Sequence, residues 1–148
     1  NSLEAEDTMV AVLKFKNGAL GTIEVTTAAR PRDFEAVISI VGEKGYAKIG
    51  GIALNEVHEW HFVDSRDEDK TIPRNCTQHV ETGYGISHGP LINKTIERLL
   101  KGNMTPVVSS LEGEKTTNLV HALYKSTETN QWVKLEDSLL SSKLGKPN

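Results

Sequence analysis

The sequence predicts an α+β domain, a predominantly antiparallel open sheet with helices packed on one face. Three observations predict it. The first half alternates apolar and polar residues with a period of two, short hairpin signals join those segments, and the second half changes to a helical period. The chain has 148 residues, 37% hydrophobic and 25% charged, which suits one globular domain spanning 1–148 with an ordinary core.

The elements follow in order. Met9 to Lys16 places Met9, Ala11, Leu13 and Phe15 on one side and ends at Asn17-Gly18, a pair that tolerates positive φ and so marks a hairpin. Leu20 to Thr27 is the returning strand, with Ile23 and Val25 on one face and Thr22, Glu24 and Thr26 on the other. Arg30-Pro31-Arg32-Asp33 breaks the alternation, which resumes from Phe34 to Val41 as a third strand. Gly42-Glu43-Lys44-Gly45 turns it into a short fourth from Tyr46 to Ile49, and Gly50-Gly51 turns again. The β-formers Val57, Trp60, Phe62 and Val63 make Ala53 to Val63 a fifth strand, and Asp64 to Lys70 reads as a charged loop.

After an irregular stretch from Thr71 to His88, Gly89-Pro90 offers a cap and a proline at the first helical position. Leu91, Ile92, Ile96, Leu99 and Leu100 share one helical face up to Gly102. Ser109 followed by Glu112 is a capping box, and Leu119, Val120, Leu123 and Tyr124 stripe a second helix to about Thr127. Trp132 to Leu135 closes the prediction as a short strand.

Composition excludes several classes of function. The net charge is −3, with 17 Lys and Arg scattered among 20 acids, so no basic stripe is offered to nucleic acid. No apolar run approaches the ~18 residues of a membrane span. One cysteine, Cys76, rules out an internal disulfide framework and fits a reducing cytoplasm.

Four clusters carry candidate chemistry. In Glu56-Val57-His58-Glu59-Trp60-His61 the histidines are three apart, whereas a helical zinc site needs four; on a strand they pair only as His58 with Glu56 and His61 with Glu59. No metal site is expected there. Cys76 and His79 could pair a thiolate with a base, but no third group orients them, and a half-buried loop thiol is the simpler reading. Gly83-Tyr84-Gly85-Ile86-Ser87-His88-Gly89 has His88 where a dinucleotide fingerprint needs its third glycine, and no βαβ unit surrounds it. It remains a glycine-bracketed loop that presents Tyr84, Ser87 and His88 before a helix N-terminus, where anions are favoured. Arg30 and Arg32 place two guanidinium groups at a sheet end, a geometry suited to carboxylate or phosphate.

Glu6-Asp7-Thr8-Met9-Val10-Ala11, Phe15 to Ile23, Ile40-Val41-Gly42-Glu43-Lys44-Gly45, Gly50-Gly51, the glycine-histidine loop, Pro106-Val107 and the helix opened by Ser109 to Glu114 follow one another in a distinctive order. That order resembles the C-terminal domain of the Gfo/Idh/MocA oxidoreductases. The closing segment Val133 to Gly145, with Ser142-Lys143-Leu144-Gly145, is similar to the sugar-nucleotide branch of lipopolysaccharide sugar synthesis.

The resemblance implies the substrate-binding and oligomerising half of an oxidoreductase that uses NAD or NADP on a sugar or sugar-nucleotide. It also implies that the cofactor sits in a separate Rossmann domain, absent from this chain, with none bound here. Family members carry a Glu-Lys-Pro lysine in that domain and an Asp-x-x-x-His pair at the start of the second; this chain shows neither, so the resemblance assigns it no catalytic residue and makes it one piece of a longer, two-domain protein, inactive by itself. Within that frame His88 and Tyr84 are the expected hydrogen-bonding partners of sugar hydroxyls, and Arg30 of an anionic group. The face of Leu20 to Thr27 and Phe34 to Val41 that carries Val37 and Val41 is expected to be buried between subunits of a dimer or tetramer. A stand-alone binding or scaffold module that keeps the sheet without catalysis is the alternative.

Overall fold

A computed structural model describes residues 6–136 and 140–141. The Ser142-Lys143-Leu144-Gly145 motif lies outside the described residues. In chain order the elements are β1 (Thr8–Lys14), β2 (Leu20–Thr26), β3 (Ile38–Gly42), β4 (Gly45–Gly50), β5 (Glu56–Phe62), a 3-10 turn (Asp67–Lys70), α1 (Ile72–Cys76), α2 (His88–Leu100) and α3 (Ser110–Thr129). This is an α+β fold whose strands pair antiparallel throughout, in two sheets, β1-β2 and β3-β4-β5. The chain divides into two compact units, Asn1–Ala28 with Pro106–Asn148, and Ala29–Thr105.

In the first unit β1 and β2 run in register from Thr8 opposite Thr26 to Lys14 opposite Leu20. Met9, Ala11 and Leu13 face Val25, Ile23 and Gly21 across the ladder, and Met9, Ala11, Leu13 and Ile23 are half-buried while Val10 and Val12 are exposed. The period of two thus sorts one face from the other, as alternation requires. The turn is wider than an Asn-Gly pair alone would give. Phe15 N–H donates to Ala19 O (2.9 Å) and Gly18 N–H to Phe15 O (3.0 Å), leaving a three-residue loop in which Gly18, at φ +90°, takes the left-handed position.

Helix α3 begins as its capping box dictates, with Glu112 N–H donating to Ser109 Oγ (3.3 Å) and Ser109 N–H to Glu112 Oε2 (3.1 Å). It ends at Asn130, whose φ of 53° is left-handed. The Tyr124 hydroxyl donates to the Glu6 carboxylate, which ties the helix to the segment entering β1. That bond holds the Glu6 carboxyl below its ordinary value and raises the Tyr124 phenol. Ala122 is buried on this helix, and Ser141 beside it donates its N–H to His121 Nδ1 (3.2 Å). The strand expected over Trp132 to Leu135 is not formed. Asn130 reverses the chain, the Ser126 hydroxyl holds Gln131 O (2.7 Å), and Lys16 pairs with Glu136, so residues 132–134 join no ladder.

In the second unit β4 is the central strand, with Ile38 opposite Ile49 on one side and Tyr46 opposite His61 on the other. The hairpin Gly42 to Gly45 requires glycine at its end: at φ +155°, a β-carbon on Gly45 would lie 2.2 Å from His61 O. Two strand starts differ from expectation. Residues 34–37 are pulled off the β3 ladder because Ala36 N–H donates instead to Gly51 O (2.8 Å). Residues 53–55 precede β5 as a turn, because Leu54 sits at φ 55° and the Asn55 carboxamide accepts Ala53 N–H (3.1 Å). A register shift between Lys48 and Ile49 leaves His58 without a cross-strand partner, a bulge in β5.

The charged loop from Asp64 to Lys70 contains the 3-10 turn. Asp69 closes it, accepting Arg66 N–H (2.7 Å) and the Trp60 indole N–H (3.0 Å), and these bonds lower its carboxyl below the ordinary value, the Arg66 amide most. The short helix α1, absent from the expected elements, follows it against β5. Helix α2 starts at His88 with Ser87 as its N-cap, so Pro90 is its third residue and not its first. The apolar stripe of α2 is present as expected but exposed at Leu91, Ile92, Ile96, Leu99 and Leu100.

Candidate functional site

The β4–β5 turn, residues 51–55, is the scaffold of the candidate site. From one side it receives the Arg30 to Phe34 loop, through Ala36 N–H on Gly51 O. From the other it receives the segment leaving α1: Asn55 Nδ2–H donates to Gln78 O (2.7 Å), Gln78 N–H to Asn55 O (2.9 Å), and Val57 N–H to Thr77 Oγ1 (3.0 Å). One asparagine therefore bonds both the turn and the strand-free segment beside it. The glycine loop then closes over the turn, with Gly85 N–H on Thr82 O (3.0 Å) and Gly85 at φ +60°. A β-carbon on Gly85 would stand 3.2 Å from Ala53 Cβ, so the approach is close.

Between these segments lies a cleft of about 760 Å³ lined by Arg32, Asp33, Phe34, Ile52, Glu81, Thr82, Gly83 and Tyr84. Its size falls within the ~300–1,000 Å³ of small-molecule sites. Its chemistry is mixed: the Arg32 guanidinium, the Asp33 and Glu81 carboxylates, the Thr82 hydroxyl, the aliphatic Ile52, the Phe34 ring and the Tyr84 phenol. Phe34 and Tyr84 are each 81% exposed, so neither ring is spent on the protein's own packing.

The sequence-predicted residues are distributed unevenly around it. Tyr84 lines the cleft. Arg30 stands two residues before the lining Arg32, beyond a cis peptide to Pro31, and its guanidinium donates to Ala29 O (2.7 Å). His88 opens α2 and is exposed, outside the cleft's lining residues. Sequence reasoning missed Phe34, which looked like a strand residue, and Asn55, whose pairing with Gln78 spans 23 positions and leaves no local signature.

The other clusters resolve simply. His58 Nε2 meets Glu56 Oε2 at 2.9 Å and His61 Nε2 meets Glu59 Oε2 at 2.8 Å, the pairs a strand allows. Among the described residues no three His, Cys, Asp or Glu side chains converge as metal ligands. Cys76 ends α1 and is exposed, not half-buried, because that helix shows Ile72 and Pro73 inward instead. A smaller cavity of about 200 Å³ lies between Lys44, Trp60, Phe62, Asp64, Arg66 and Asp69, where Trp60 and Phe62 meet edge to face at 5.2 Å.

A dinucleotide cradle needs a parallel strand running into a glycine turn and a helix. Here the Gly83–Gly89 loop enters α2 from irregular chain, and the strands of both sheets pair antiparallel. Among the described residues the glycine loop therefore forms no such cradle. Among them, no helix is long and apolar enough to cross a membrane.

Comparison with known proteins gives the site a context. A family model described as oxidoreductase family, C-terminal alpha/beta domain, matches residues 1–135. The WlbA dehydrogenase of Chromobacterium violaceum, solved in complex with NADH and UDP-GlcNAcA, is 31% identical with a TM-score of 0.72. The WlbA dehydrogenase of Bordetella pertussis, solved with the same two ligands, is 33% identical with a TM-score of 0.70. Each alignment covers 88% of this chain and 35% of the WlbA chain, so the chain spans about a third of the length of these structures. None of the curated protein sequences matches it.

Proposed function

The chain belongs to the Gfo/Idh/MocA oxidoreductase family, as its C-terminal alpha/beta domain, and from that premise we propose that it is the substrate-binding half of a cytoplasmic, NAD-dependent dehydrogenase of nucleotide sugars. The observation that carries the proposal is the likeness to two dehydrogenases whose structures hold NADH and UDP-GlcNAcA, at 31% and 33% identity over 88% of this chain. The reaction class is oxidation of a sugar carbinol to a carbonyl, and no step of it is assigned to the residues of this chain. The dinucleotide would be held elsewhere in the protein, so the 148 residues alone would not turn over.

The cleft beneath the β4–β5 turn supports this reading. His88, at the far end of the glycine loop from Tyr84, would meet hydroxyl groups, while Arg30 and Arg32 would meet the anionic part of the substrate. A second feature supports self-association. Val37, just before β3, and Val41 within it are 41% and 85% exposed on one face, and such apolar exposure marks interaction surfaces. On this reading the face carrying Val37 and Val41 is covered by another subunit.

The test is the reading frame upstream of Leu3 together with the activity of its product. A strand with G-x-G-x-x-G, a later Glu-Lys-Pro and an Asp-x-x-x-His, in a protein that reduces NAD with UDP-GlcNAcA, supports the proposal. An upstream region without those motifs leaves a binding or scaffold module in its place.

A further inference from the structure

The lining of the Arg32–Tyr84 cleft is selective as to which end of a nucleotide sugar it can take. We infer that the cleft receives the nucleoside, its base stacked against Phe34 and Tyr84, with the diphosphate leaving past Arg32. The inference rests on the proposed function and goes further by assigning one end of the substrate to one set of residues.

Three observations carry it. First, Phe34 and Tyr84 come from segments 50 residues apart in sequence, line one cleft, and are both 81% exposed. Exposed aromatic faces in one concave site are what a flat base requires, since stacking needs only a π-face. Second, the cleft carries two carboxylates, Asp33 and Glu81, against the single guanidinium of Arg32. A sugar acid placed among them would set its carboxylate against like charge. The nucleoside instead offers donors, the imide N–H of uracil and the two ribose hydroxyls, which carboxylates accept. Third, Arg32 is the one cationic side chain of the lining. A diphosphate leaving the nucleoside would find in its guanidinium the forked donor that phosphate oxygens take.

The cleft's integrity does not depend on the two rings, because both are largely outside the protein's packing. Phe34→Ala and Tyr84→Ala are therefore clean probes. In calorimetric titrations of the full-length protein with UDP, each is expected to weaken binding about tenfold or more, the loss of one base–aromatic stack. Tyr84→Phe is expected to retain the affinity. Arg32→Ala is expected to weaken UDP more than uridine. Unchanged UDP affinity in both alanine variants, with the circular dichroism of the wild type, overturns the assignment. Turnover of UDP-GlcNAcA by the wild type in that case leaves the proposed function standing without it. Failure of the wild type to bind UDP or turn over the sugar nucleotide removes both.

Discussion

Single side chains decide where the cleft forms. Asn55 accepts Ala53 N–H at 3.1 Å and donates to Gln78 O at 2.7 Å, so it fastens the β4–β5 turn to the segment that leads into the glycine loop. Asn55→Ala removes both bonds, at a cost of about 1–2 kcal/mol in stability by the usual worth of such bonds. Because Asn55 lies outside the cleft lining, the proposed nucleotide-sugar activity of the full-length protein is expected to show a raised KM with kcat nearly unchanged. A lowered kcat at constant KM would assign it a different role. Asp69 acts in a similar way on the 3-10 turn, accepting from Arg66 and from Trp60. Its carboxyl is held below the ordinary value of 3.8, so the stabilisation is complete above that pH and is lost as the pH falls through the lower folded value. In a Trp132→Phe background, Trp60 emission is expected to show a step below pH 3.8 that Asp69→Asn abolishes. A step that survives the substitution would place its origin elsewhere.

At the scale of elements, helix α3 rests on local chemistry that one substitution can remove. Ser109→Ala deletes the hydroxyl that accepts Glu112 N–H, and the expected loss is about 1 kcal/mol, read as a lower urea midpoint at constant m-value. That capping box was legible in the sequence because its partners lie three residues apart. So were the β1–β2 hairpin, whose alternation maps directly onto half-buried and exposed positions, and the His–Glu pairs of β5. What escaped depended on distant hydrogen bonds. Phe34 to Val37 alternates well enough for a strand, yet Ala36 N–H is captured by Gly51 O, 15 residues away, and the ladder starts only at Ile38. Trp132 to Leu135 has strand formers but follows a left-handed Asn130 and joins no ladder. The site was half legible for the same reason. Tyr84 and the arginine loop announced themselves by composition, whereas their meeting in one cleft depends on the Gly51 and Asn55 bonds that no local pattern encodes.

For the molecule as a whole, the unusual property is how much apolar surface stays outside. Among the described residues Ala122 is the buried apolar side chain, while β3 and the apolar stripe of α2 face outward. Apolar area left in water forfeits about 25 cal/mol per Å² relative to burial, so covering these faces would stabilise the protein. If subunits cover the β3 face, the full-length protein sediments as a dimer or tetramer, and Val41→Glu with Val37→Lys shifts it toward the monomer. A wild-type protein that stays monomeric at micromolar concentration would leave that face to another partner. The family assignment rests on residues 1–135, and the proposed activity rests on the likeness to two dehydrogenases that hold NADH and UDP-GlcNAcA. The most direct test of the central claim is to mix the full-length protein with NAD and UDP-GlcNAcA and follow the absorbance of NADH. NADH formation that depends on the sugar nucleotide is expected; no NADH, with no binding of UDP-GlcNAcA by calorimetry, would rule out the dehydrogenase reading.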